Sequence, residues 1–207
     1  MALDLSVIIL AAGQGTRMRS DLPKVLQSLA GRPLLAHVID CAHELGASDV
    51  CVVYGHGAEA VRAAFPAAGL RWALQAQQLG TGHAMLQAMP GTPEANRVLV
   101  LFGDVPLLTA TTLRAMLDAG GEDDGLVLTV DLDDPTGYGR IIRDGDAVTG
   151  IVEEKDASAS QKEIAEINTG VMVCPGAKLR QWIGSLSNDN AQGEYYLTDV
   201  IGMAVAD

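Results

Sequence analysis

The chain has 207 residues, 48% of them apolar, enough for a buried core in one domain or in one large domain with a small lobe. Only 19% are charged and the formal net charge is −12, which argues against nucleic acid or an anionic membrane as a partner. The three cysteines, Cys41, Cys51 and Cys174, are dispersed with no CxxC spacing, which predicts reduced, packed thiols and argues against a disulfide framework or a zinc site.

Taken in chain order, the elements alternate. Ser6–Leu10 is a continuous run of β-branched residues and leucine, as expected of a strand buried on both faces. The apolar run Leu5–Ala12 is short, lacks a basic leader and follows Asp4, so it does not read as a secretion signal. No apolar stretch is long enough to span a bilayer, and the expectation is a soluble, cytoplasmic protein. Beyond a glycine loop, Pro33–Leu45 has apolar residues at helical spacing and Gly46 as its stop. Val50–Tyr54 predicts a second buried strand, Ala58–Phe65 a helix, Arg71–Gln75 a short strand and Thr81–Met89 a helix closed by Pro90. Arg97–Phe102 is a third strongly apolar strand broken at Gly103-Asp104, followed by a helix over Thr109–Asp118 and a strand over Leu126–Leu132.

The second half changes character. Arg140–Arg143 and Ala147–Glu153 flank Asp144-Gly145-Asp146, the pattern of a hairpin with an Asp-Gly turn. Ala157–Glu166 reads as a polar loop or short helix, and Asn168–Val173 as a strand. The expected fold is α/β: a Rossmann-like, mainly parallel sheet flanked by helices, with a small β-hairpin lobe. Ligands bind such sheets beyond the carboxyl ends of the strands, so the residues after Leu10, Tyr54, Gln75 and Phe102 share one rim.

The loop at that rim reads Leu10-Ala11-Ala12-Gly13-Gln14-Gly15-Thr16-Arg17-Met18 and continues to Pro23-Lys24. Two glycines let the backbone approach a phosphate closely. Ala11 and Ala12 are small enough for a flat base to lie on them, and Arg17 and Lys24 can neutralise a triphosphate. From Met1 to Arg32 the cations Arg17, Arg19, Lys24 and Arg32 outnumber Asp4 and Asp21, a local balance of +2 in an acidic chain. A dinucleotide fingerprint would need a third glycine where Met18 stands, and a phosphate-binding Walker loop would need Gly-Lys-Ser/Thr where the chain has Met18-Arg19-Ser20.

Leu10, Gly13, Gly15, Thr16, Met18, Pro23 and Lys24 resemble, in register, the LxxGxGTxMxxxxPK motif of sugar nucleotidyltransferases. Further segments are similar to the bacterial N-acetylglucosamine-1-phosphate uridylyltransferases. These are Gln75 with Gln77–Ala84, Gly103–Leu107, Gly137–Arg140, Ile151–Glu153, Glu166–Gly170 and Asn190–Asp199, and together they span essentially the whole chain. The resemblance implies the nucleotide-diphospho-sugar transferase fold. It also implies transfer of UMP from UTP to N-acetylglucosamine 1-phosphate, giving UDP-N-acetylglucosamine and pyrophosphate for peptidoglycan and lipopolysaccharide precursors. The 207 residues are then expected to be a nucleotidyltransferase domain truncated at its C-terminus, a monomer cut from a homotrimeric parent. The family's acetyltransferase β-helix and its second metal-ligating asparagine would lie downstream.

The expected site residues follow. Asp104 ends an apolar strand at the rim, where a carboxylate suits Mg²⁺. Helix capping is the plain alternative, and Thr109 is better placed for it. Catalytic roles fall on Arg17, Lys24 and Asp104. The Gln75 amide matches an edge of uracil, and Gly80 and Thr81 open a helix whose N–H groups can hold base or phosphate. Leu10, Ala11, Ala12, Gly13, Phe102 and Gly103 complete the nucleotide side. The resemblance implies that Gly139, Glu153 and Asn168 contact the N-acetylglucosamine moiety; Glu154 would point to the opposite strand face. His37, His43, His56 and His83 form no ligand-spaced cluster, and His83, beside the uracil segment, has no proton-transfer role. Two alternatives stay open: a sugar nucleotidyltransferase of other base or sugar specificity, and a nucleotide-sugar-binding fragment with little catalysis.

Overall fold

In the computed structural model, residues 3–13, 15, 20, 22–55, 57–66, 69–94 and 96–207 are described. Arg17, with Thr16 and Met18 of the loop motif, lies outside them. The chain opens with strand β1 (Leu3–Ala11), followed by the two-residue strands β2 (Ser28–Leu29) and β3 (Arg32–Pro33), which pair with each other. Then come α1 (Leu34–Glu44), β4 (Ala47–Tyr54), α2 (Ala58–Ala64), β5 (Arg71–Leu74), α3 (Thr81–Ala88) and β6 (Arg97–Phe102). The second half holds α4 (Ala110–Asp118), β7 (Leu126–Asp131), β8 (Arg140–Asp144), β9 (Ala147–Val152), α5 (Ala159–Lys162), β10 (Glu166–Pro175), α6 (Gly176–Gly184) and α7 (Asp199–Ala206).

Eight strands form one mixed sheet in the order β5-β4-β1-β6-β10-β8-β9, with β7 also paired to β10. The pairs from β5 to β6 are parallel and those beyond are antiparallel. β1 is central because nearly everything in it is apolar and it can be covered on both faces. Its side chains alternate: Leu5, Val7, Ile9 and Ala11 face α1, α2 and α4, and Ile8 and Leu10 face α3, α6 and α7. Buried Ser6 is satisfied by the Asn96 amide, which donates to its Oγ at 3.0 Å, so its hydroxyl is not orphaned in the core.

Two helices carry no sequence-based expectation: α6 buries Leu179, Trp182 and Ile183, and α7 buries Val200 and Ile201. α7 reads Asp-Val-Ile-Gly-Met-Ala-Val-Ala and has no polar face to reveal a helical period. The hairpin β8–β9 forms as expected, with Gly145 at φ +59° in its turn. It hangs from the main sheet by one residue pair, Ile167 with Arg140, which makes the lobe an extension of that sheet. The three cysteines are free and buried, and burial pushes the Cys51 thiol up to about 11 and the Cys174 thiol up to about 12. Among the described residues no helix is long and apolar enough to cross a membrane.

Candidate active site

The parallel strands end level with one another. Ala11 pairs with Tyr54, Tyr54 with Leu74, and Leu10 with Phe102. Beyond those ends lies a cleft of about 570 Å³, within the usual range for a small-molecule site. Leu10, Ala11, Ala12, Gly13, Lys24, Gln75, Gly80, Thr81, Phe102 and Asp104 line it, so the expected nucleotide side is assembled in one place. Gly103 lies beneath: its N–H donates to Leu10 O at 3.0 Å, and a Cβ there would stand 3.1 Å from the Ala11 Cβ.

Lys24 sits where a short 3₁₀ turn starts after Pro23, and its Nζ forms an ion pair with the Asp104 carboxylate. Gly15 makes room for this lysine: it has φ +59°, and a Cβ on it would lie 2.6 Å from the Lys24 Cβ. Among the described residues no atom lies within 4 Å of a Cβ built on Gly13, so that backbone is open to close approach. Thr109 caps α4, accepting from Thr112 N at 3.2 Å, which leaves Asp104 free of that duty.

The base side is braced by contacts distant in sequence. The Gln78 amide donates to Ala12 O at 2.8 Å, tying the glycine loop to the turn before α3. The Gln75 amide donates to Gly80 O at 3.0 Å and lies 3.1 Å from His83 Nδ1. Gly80 is the residue before α3, and Gly82 N is taken by Tyr195 O at 2.8 Å. The first turn of α3 therefore has fewer free donors than a bare helix start. Thr81 Oγ1 accepts from Leu197 N at 3.1 Å. Residues 194–198 thus form a strap across the start of α3, and Glu194 joins the cleft wall.

Gly139, Glu153 and Asn168 form a second group that does not line this cleft. A Cβ on Gly139 would stand 3.4 Å from Glu153 Oε2, and Asn168 N donates to Gly139 O at 2.8 Å. The Asn168 Oδ1 accepts from Gly170 N at 2.9 Å. Thr198 at the end of the strap donates to Glu153 Oε1 at 2.8 Å, linking the two groups. Burial pushes the Glu153 carboxyl above its usual range; the Thr198 hydroxyl opposes this, and the charges of Asp199, Asp156 and Glu194 add to it. β9 ends at Val152, so Glu153 and Glu154 lie beyond the strand expected to hold Glu153; Glu154, in the following turn, pairs with buried Arg140 at 2.8 Å.

Gln78, Gly15, Val25, Ala84 and Glu194 also line the cleft and were not among the expected site residues. Gln78 was visible inside the Gln77–Ala84 segment. Its bond to Ala12 spans 66 residues and leaves no local pattern.

The chain is similar in sequence and fold to known proteins. Residues 7–191 match the MobA-like NTP transferase domain. The chain is 59% identical over 204 residues to the bifunctional protein GlmU of Azoarcus sp. strain BH72, covering 98% of this chain and 45% of that protein. It is 58% identical over 206 residues to the bifunctional protein GlmU of Pseudomonas aeruginosa PAO1, covering 99% and 45%. The chain therefore spans less than half the length of these curated relatives. Its fold is that of a UDP-glucose pyrophosphorylase solved with UDP-glucose, with a TM-score of 0.77 at 16% identity, covering 100% of this chain and 88% of that one. It is also that of a Bacillus anthracis protein assigned as a glucose-1-phosphate thymidylyltransferase, with a TM-score of 0.80 at 19% identity, covering 98% and 83%. On the strength of the match over residues 7–191, the chain belongs to the MobA-like NTP transferase domain family.

Proposed function

We propose that the protein transfers UMP from UTP to N-acetylglucosamine 1-phosphate, giving UDP-N-acetylglucosamine and pyrophosphate, a step that supplies cell-wall precursors. The observation that carries this reading is the Lys24–Asp104 ion pair in a cleft at the carboxyl ends of parallel strands, opposite an amide-lined base site. The identity to the GlmU proteins supports the choice of uracil and N-acetylglucosamine. In this reading the 207 residues are the nucleotidyltransferase part of a longer protein.

The residues fit Mg²⁺ of the kind that arrives with a nucleotide. Asp104 offers a hard oxygen ligand, and Mg²⁺ is usually held by one or two carboxylates plus phosphates and water. Among the described residues no group of three or more His, Cys, Asp or Glu is placed to build a protein cage. When bound, the ion would neutralise phosphate charge and stabilise charge developing on the pyrophosphate leaving group.

The chain's own residues meet the main difficulty, which is bringing two polyanions together. Two unit charges ~4 Å apart repel by about 4 kcal/mol at an effective dielectric of 20. Lys24 offsets that repulsion at the phosphates. Gln75, Gly80 and the Ala11-Ala12 backbone hold the base, while Glu153, Asn168 and Gly139 hold the sugar hydroxyls and N-acetyl group. The sugar-phosphate oxygen is ionised near neutral pH, so no side chain needs to remove a proton. The protein's work is then alignment for in-line attack.

Pyrophosphate release measured with UTP, N-acetylglucosamine 1-phosphate and Mg²⁺ tests the reading. Activity that disappears in Lys24→Ala is expected. Retained activity in that variant, or a preference for another triphosphate, would overturn it.

A further inference from the structure

Gln75 is almost wholly buried, yet it borders the cleft. A carboxamide can present either its oxygen or its nitrogen, and which one faces a base decides what the base must offer. Two neighbours settle the choice here. Gly80 O, 3.0 Å from the Gln75 amide nitrogen, can only accept, so an amide hydrogen points to it. The second amide hydrogen falls to His83 Nδ1 at 3.1 Å, and that nitrogen accepts only when it carries no proton. His83 then holds its proton on Nε2; the Gln87 amide nitrogen 3.4 Å away can only donate and makes no hydrogen bond to a protonated Nε2, and it donates instead to His83 O at 3.2 Å. The imidazole is held by a tilted contact with the Tyr195 ring, 6.4 Å between centroids. Tyr195 is itself fixed to the start of α3 through Leu79 O and Gly82 N.

With both amide hydrogens spent inside the protein, Gln75 has its carbonyl oxygen left for the cleft. We propose that His83 is a positioning residue. Through an unprotonated Nδ1 it holds the Gln75 carboxamide with its oxygen toward the base, and so favours a pyrimidine carrying a ring N–H over one presenting a bare ring nitrogen. Uracil offers that N–H at N3. Cytosine offers a lone pair at the same place, and two acceptors face one another. This inference rests on the base site of the proposed function and assigns its discrimination to a residue that does not touch the base.

The experiment uses UDP and CDP as probes, with binding measured by calorimetry on the protein and on His83→Ala and His83→Asn. The asparagine Oδ1 can stand near the position of Nδ1 and accept the same hydrogen. Losing one bracing hydrogen bond corresponds to about a 5–10-fold change in equilibrium. His83→Ala is expected to weaken UDP binding by about that factor and to narrow the UDP-over-CDP preference, and His83→Asn is expected to restore both. A parallel ¹⁵N spectrum of the imidazole is expected to show Nδ1 bare and Nε2 protonated. Unchanged UDP binding in His83→Ala, equal weakening of UDP and CDP, no rescue by asparagine, or a protonated Nδ1 would each overturn the inference. Failure of the unsubstituted protein to prefer UDP would instead refute the uracil reading, and the ¹⁵N spectrum would still test the His83 tautomer.

Discussion

Replacing Gly80 with alanine tests the strap over α3 by two separate costs. Gly80 has φ +104° and ψ 175°, a backbone region open essentially to glycine alone, and forcing another residue there costs about 1–3 kcal/mol. The new Cβ would also stand 2.6 Å from Tyr195 O and 2.9 Å from Tyr195 N, both backbone atoms that cannot rotate away. Moving them strains the bonds from Tyr195 N to Leu79 O and from Gly82 N to Tyr195 O, each 2.8 Å and each worth about 0.5–1.5 kcal/mol. The expected loss of stability is about 2–6 kcal/mol. Urea unfolding followed by circular dichroism measures it as a lower midpoint at unchanged slope. Gly184→Ala is the control: Gly184 ends α6 and its Cβ would meet nothing within 4 Å, so a gain of about 0.4–1 kcal/mol is expected. A Gly80→Ala protein as stable as the parent would refute the reasoning, because neither the strain nor the crowding could then be real.

Other substitutions separate chemistry from support. Asp104→Ala should lower turnover by about 10²–10³-fold, the size of effect seen when a group stabilising transition-state charge is removed, with an unchanged circular dichroism spectrum. Thr109→Ala removes the α4 cap and should cost about 1 kcal/mol, read as a lower unfolding midpoint with normal turnover. Arg143 is bonded twice to the Glu166 carboxylate and holds it down to about 2. A lowered carboxyl contributes stability that is present above the ordinary glutamate range and lost as pH falls toward 2. An NMR titration of Glu166 should move back to the ordinary range in Arg143→Ala. Glu153 has the opposite sign: burial raises it, so its contribution is present while the carboxyl is protonated and falls away as pH rises past the ordinary glutamate range. Glu153→Gln should therefore flatten that part of the stability-against-pH curve while weakening N-acetylglucosamine 1-phosphate binding.

The site divides by how local its signals are. β1, β4 and β6 are legible because unbroken apolar runs have few other uses, and the glycine loop is legible because its spacing is fixed by close backbone approach. Glu153 and Glu154 part as expected, with Glu153 on Thr198 and Glu154 on Arg140, though both lie past the end of β9 and a turn separates them rather than strand alternation. The strap is hidden because its anchors join residues more than a hundred apart, as Thr81 and Leu197 do. His83 reads as an idle histidine until Gln75 is placed beside it. α7 is hidden for another reason: it is short, and an amphipathic pattern needs a polar face that it lacks.

The central claim concerns the choice of base and of sugar. Its most direct measurement is the initial rate of pyrophosphate release over a grid of nucleoside triphosphates and sugar 1-phosphates, with Mg²⁺ present and then chelated. The account predicts the highest kcat/KM for UTP with N-acetylglucosamine 1-phosphate, and loss of that rate on chelation. A faster rate with another base or sugar, or a rate indifferent to Mg²⁺, would contradict it.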